Sequence, residues 1–147
     1  MMPRLKVRYS YIYNKTLNKD INIEMFNKLR EKSAQFNELV EKYGNKVLKI
    51  IEKENERWED LEIPVYIVMA RIKSFSDPLT INSRKNKKTM FLVLIHELIH
   101  VNTRKKFKVP SEVHDFVITP VFNKVIEQLD LEDFEEAFEE YYQFNKK

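Results

Sequence analysis

The sequence contains no cysteine, a single glycine and only three histidines in 147 residues. Without cysteine there can be no disulfide, no thiolate zinc site and no cysteine nucleophile, which leaves His, Glu and Asp as the strong metal ligands. No run of eighteen apolar residues occurs, so no membrane-spanning helix is expected. The N-terminal segment is charged and alternating, unlike a signal peptide, and the expected location is the cytoplasm. Internal repeats and low-complexity linkers are missing too. With 43% hydrophobic residues the chain is expected to form a core and to fold as one domain over 1–147.

The charge is modest, +3 overall, but unevenly placed. Lys85, Lys87 and Lys88 come before residues 90–102, Arg104, Lys105, Lys106 and Lys108 come after them, and Asp130 to Glu140 is strongly acidic. Basic loops that bracket a site would draw in an acidic substrate, a nucleic acid or the chain's own acidic tail. No aromatic residues interleave with the lysines as a base-stacking surface requires, so nucleic acid is not the expected partner and solvated loops are the simpler reading.

Arg4 to Tyr13 alternates, with Leu5, Val7, Tyr9, Tyr11 and Tyr13 on one side, which predicts a half-buried strand. From Asp20 to Trp58 the apolar residues Phe26, Leu29, Phe36, Val40, Tyr43, Val47 and Ile51 recur at helical spacing, and Gly44 is a point where the helix is expected to divide. Ile63 to Met69 and Pro78 to Ile81 read as strands separated by a Ser-Phe-Ser-Asp turn. Thr89 is the expected N-cap of a helix from Met90 to about Asn102. Ser111 is the expected N-cap of the next helix, which runs toward Leu129 and is interrupted or kinked at Pro120. Leu131 to Phe144 reads as a last, acidic amphipathic helix.

Residues 92–101 read Leu-Val-Leu-Ile-His-Glu-Leu-Ile-His-Val and contain His-Glu-x-x-His at His96, Glu97 and His100. On a helix, residues four apart share a face, so both imidazoles can point at one tetrahedral ion. Glu97 stands one position round from the first ligand, where a carboxylate can take a proton from a metal-activated water. The apolar flanks imply a buried helix, and buried imidazoles and carboxylates are costly unless something satisfies them, as a metal does.

This order of elements, a small sheet directly before the His-Glu-x-x-His helix and another helix directly after it, resembles the zincin metallopeptidases. Within them it is most similar to the small archaeal minigluzincins, over roughly residues 61–129. The resemblance implies an α+β, zincin-like domain: a short mixed or antiparallel sheet packed on an active-site helix and a ligand-bearing helix. Around that core it leaves a helical N-terminal region (1–60) and an acidic C-terminal helix (about 130–145). It implies a zinc-dependent endopeptidase acting on peptide or protein substrates, with one Zn2+ on His96 and His100 and with Glu97 as general base and acid. It further implies that the last strand before the motif helix, the Asp77 to Ile81 region, aligns substrate by backbone pairing.

A catalytic zinc site takes a third protein ligand. The gluzincin resemblance implies Glu112, although Ser111-Glu112-Val113-His114-Asp115 only approximates the Asn-Glu-x-x-x-Asp pattern of that family. Helical spacing favours His114, which falls in line with Ile118, Val121 and Val125 while Glu112 points to the other side. The SprT-like metalloproteases, a weaker match, also use a third histidine, though their His-Gly-Pro context is missing here. Asp115 would accept a hydrogen bond from a zinc-bound His114, or simply complement the helix dipole. Tyr141, Tyr142 and Arg104 are candidates for stabilising an oxyanion.

The alternative to a peptidase is a zinc-binding regulatory or interaction protein that does not turn over substrate. The C-terminal stripe of Leu131, Phe134, Ala137, Phe138, Tyr141 and Tyr142 bears on that choice. It can pack on the core, pair two subunits, or cover the cleft as an autoinhibitory segment, with packing on the core the expected outcome.

Overall fold

The computed structural model describes residues 2–103 and 114–144. Three parallel strands, β1 (Arg4–Arg8), β2 (Glu62–Val68) and β4 (Leu79–Asn82), and a two-residue antiparallel strand, β3 (Phe75–Ser76), form a sheet of order β1-β2-β4-β3. Five helices accompany it: α1 (Tyr11–Leu17), α2 (Ile23–Glu54), α3 (Lys87–Thr103), α4 (His114–Gln128) and α5 (Glu135–Phe144). The architecture is α+β with a small mixed sheet. Ile63, Val65 and Ile67 of β2 alternate into the helical layer and are almost fully buried, as the pleat of a strand dictates. On the other side of β2, α1 lays Tyr13 edge-on to Tyr66 at 5.2 Å.

Strand β1 ends earlier than the alternation predicts. Ser10 caps α1, its hydroxyl accepting from the Tyr13 amide at 3.2 Å, so Tyr11 and Tyr13 lie on a helix. Asn14 fixes that turn: it is fully buried, donates to the Ser10 and Ile67 carbonyls, and accepts from the Met69 amide. A run of tyrosines spaced by two cannot reveal a cap that depends on a partner more than fifty residues away.

Helix α2 runs unbroken for 32 residues, with Asn22 as its N-cap. Gly44 does not divide it. A glycine costs a helix about 1 kcal/mol relative to alanine, and the long buried stripe from Leu29 through Ile51 outweighs that. Gly44 serves close approach: a Cβ there would lie 3.1 Å from Leu5 Cδ1, so β1 crosses the helix at this point.

The Asp77 to Ile81 region, expected to align a substrate, is not an edge. β4 pairs with β2 on one side and with β3 on the other, and the Ser74 hydroxyl accepts from the Asn82 amide. The sheet ends instead at β3, whose two residues fall in the stretch the sequence assigns to a turn.

Motif helix α3 starts at Lys87, before the expected Met90, because Asn86 is the cap that forms: its side-chain oxygen accepts from the Thr89 amide at 2.9 Å. Thr89 therefore sits in the first turn, 1% exposed. The far end of α3 is tied to the end of α2. Asn102 is fully buried, accepts from Asn55 Nδ2 and the Glu56 amide, and donates to the Glu56 carbonyl at 2.8 Å. Replacing Asn102 with alanine strands those groups and is expected to cost on the order of 3 kcal/mol of stability. Urea unfolding monitored by circular dichroism checks this.

The expected cap Ser111 lies outside the described residues. From His114 onward, α4 is not interrupted at Pro120; the helix continues to Gln128, with Ile118, Val121, Phe122 and Val125 buried on both sides of the proline. Helix α5 starts at Glu135, later than the expected Leu131, because Asp133 adopts a left-handed conformation (φ 58°) and turns the chain. Its stripe joins the core: Phe134, Ala137 and Tyr141 are buried, and Phe134 meets Tyr43 and Phe91 at 6.3 Å. Among the described residues no helix is long and apolar enough to cross a membrane.

Candidate metal centre

Helix α3 is apolar almost all round because other elements cover it on several sides. α2, α4 and α5 pack against it, as do β3 and β4. Leu92, Leu94, Ile95, Leu98 and Ile99 are buried by these contacts, and His96, Glu97 and His100 occupy the remaining face. Glu97 is 7% exposed, while both histidines are half-buried. The ligand atoms of the three side chains all lie within 4.8 Å of one another.

The imidazole geometry is the most telling feature. His96 Nε2 and His100 Nε2 are 3.2 Å apart. Two bonds of about 2.0–2.1 Å to a tetrahedral zinc place their nitrogens about 3.3 Å apart, so the pair has the separation a shared ion requires. The opposite nitrogen of His96, Nδ1, lies 2.8 Å from the Tyr141 hydroxyl oxygen. When Nε2 offers its lone pair to a metal, Nδ1 carries the proton and donates to Tyr141, which fixes both the tautomer and the ring orientation.

Tyr141 is well placed to hold that position. Phe122 of α4 stacks on its ring at 4.9 Å, and the residue is 5% exposed. Burial, then neighbouring Tyr142, then the Glu97 carboxylate push the pKa of its hydroxyl above the ordinary phenol range, so it stays a neutral phenol. Its hydroxyl stands behind His96, on the Nδ1 side. It therefore orients the His96 ring, and does not stand on the Nε2 side. Tyr142 is 48% exposed. Replacing Tyr141 with phenylalanine keeps the ring packing and removes the acceptor, and is expected to weaken zinc binding by about ten-fold or more. Competition with a chromogenic chelator checks this, and unchanged affinity would remove Tyr141 from the site.

Of the remaining predicted site residues, Glu112 and Arg104 lie outside the described residues. His114 opens α4, and its side chain and that of Asp115 are likewise outside the description. Among the described residues, His96, Glu97 and His100 form the group able to hold a metal. The basic stretch at the start of α3 has partly structural work: Lys88 Nζ donates to the Asp133 carbonyl at 2.8 Å and sits 5.4 Å from the centre of the Phe134 ring. Arg104, Lys105, Lys106 and Lys108 lie outside the described residues.

The role of Tyr141 toward His96 went unread in the sequence. The signal was the tail's apolar stripe, which carries a hydroxyl at Tyr141 on its core-facing side. A cleft of about 450 Å³ was missed as well. Thr89, Met90 and Val93 of α3 line it together with Tyr141, whose hydroxyl meets His96, so the cleft adjoins the metal-capable group through Tyr141. No family model, no curated protein and no solved structure matches this chain.

Proposed function

We propose that the protein is a zinc-dependent peptidase whose centre is His96, Glu97 and His100, with His114 or Glu112 completing the ligand set. The observation that carries this reading is the 3.2 Å separation of the two Nε2 atoms with a nearly buried carboxylate beside them. The donor set also suits the ion, since imidazole and carboxylate are what a chain without cysteine can offer zinc. When bound, zinc supplies Lewis acidity toward water and toward a substrate carbonyl.

The chain's own residues do the rest. Glu97 takes a proton from the attacking water and delivers it to the departing amine, a task for which its shielded position beside the imidazoles suits it. His96 is kept in one tautomer by Tyr141, and Asn102 anchors the helix that presents all three groups.

A second reading, a zinc-binding regulatory protein without turnover, draws support from the way α5 packs on α3 and bonds directly to His96. One assay separates the two. Cleavage of casein or of a mixed pool of quenched peptides is expected, abolished by a chelator and restored by zinc. Zinc uptake without cleavage of any peptide would favour the regulatory reading.

A further inference from the structure

The cleft beside the metal-capable group is walled by cations. Arg71 and Lys73 project from the β2–β3 loop, Arg84 and Lys85 from the β4–α3 loop, and among the described residues lining it none is a carboxylate. These two loops are tied together. Asn82 Nδ2 donates to the Ala70 and Ile72 carbonyls at 2.5 and 2.7 Å, its side-chain oxygen accepts from the Arg84 amide at 3.1 Å, and its own amide donates to Ser74. One side chain thus holds both basic rims in place before any ligand arrives, which is what preorganised recognition requires.

The N-terminal turn of α3 lines the cleft as well. Thr89 is 1% exposed and its hydroxyl has no hydrogen-bond partner. It lies in the first turn of the 17-residue helix α3, at the positive end of the helix dipole. The helix dipole and the Arg71, Lys73 and Arg84 side chains all favour a negative group. Val93, which lines the cleft, is three residues before His96 and four before Glu97, so the lining ends one helical turn, about 5.4 Å of rise along α3, before the metal-capable group. An extended peptide advances about 3.3 Å per residue, so a side chain one or two residues from the bond being broken would enter it.

We propose that this cleft is a subsite for an acidic side chain, Asp or Glu, of the peptide substrate. The proposal rests on the peptidase reading above, but its test does not depend on turnover. Fluorescein-labelled alanine-based decapeptides with a central Glu-Glu, Ala-Ala or Lys-Lys pair are titrated into zinc-loaded Glu97→Gln protein and followed by anisotropy. The Glu-Glu peptide is expected to bind at least about ten-fold more tightly than the other two. The double variant Lys73→Glu/Arg84→Glu, on exposed rim positions, is expected to reverse that order while keeping wild-type zinc affinity. In wild type, the same peptides with quenchers should show the preference in KM rather than kcat. Equal binding of the three peptides, or a preference that survives charge reversal, overturns the subsite even if cleavage is observed. Loss of cleavage with the binding preference intact overturns the peptidase reading and leaves the subsite standing. A single-stranded oligonucleotide that binds more tightly than the Glu-Glu peptide, and is released by the same double variant, assigns the cleft to nucleic acid and overturns the proposal.

Discussion

Glu97→Gln is expected to leave zinc binding unchanged and to slow peptide cleavage by about 10²–10⁴-fold, the usual worth of a positioned general base. The substitution preserves size and hydrogen-bonding reach but removes the ability to accept a proton. Its specificity follows from where Glu97 stands. It is buried on α3 between the two histidines in sequence, and its carboxylate lies with their nitrogens in one group. A packing role alone would be preserved by glutamine, so a large loss of rate with intact metal content points to proton transfer. Measured kcat for the variant against wild type, with zinc content determined on the same samples, checks this. Activity within a few-fold of wild type would remove Glu97 from the chemistry.

His100→Ala is expected to abolish zinc binding at micromolar metal, and cleavage with it, while the chain stays folded. His96 and His100 are half-buried, whereas the burial that anchors α3 comes from Leu92, Leu94, Ile95, Leu98 and Ile99. Removing one imidazole breaks the matched pair of nitrogens and leaves His96 bonded to Tyr141. The consequence is visible in stability as well as in activity. Zinc at one hundred times its dissociation constant stabilises the folded state by about 2.7 kcal/mol, and that gain should vanish in the variant. Thermal unfolding with and without zinc checks this, the variant's midpoint without metal staying close to that of wild type.

The parts of this structure that were legible beforehand are those written locally. Spacing by three and four residues gave α2 and the stripe on α5, a β-branched run gave β2, and five residues gave the metal-capable group. What escaped depends on distant partners or on choices between near-equivalent residues. Ser10 ends β1 because Asn14 can reach Ile67 and Met69 across the sheet. Asn86 outcompetes Thr89 as the cap of α3, though either side chain has the chemistry. Two-residue β3 is too short for any periodicity, and it occupies a side of β4, the strand on which a substrate was expected to pair. Tyr141 was visible as an inward tyrosine, but its pairing with His96, 45 residues away, needed the packing of α5 on α3. The cationic cleft likewise assembles from loops that are separate in sequence and joined by Asn82.

Elemental analysis of the protein after zinc loading and gel filtration, compared with His96→Ala, His100→Ala, His114→Ala and Glu112→Ala, tests the central claim most directly. One zinc per chain is predicted for wild type, almost none for His96→Ala and His100→Ala, and a marked loss for whichever of His114→Ala and Glu112→Ala removes the third ligand. Wild-type protein that emerges without zinc, or a His96→Ala protein that retains a full equivalent, would contradict the account.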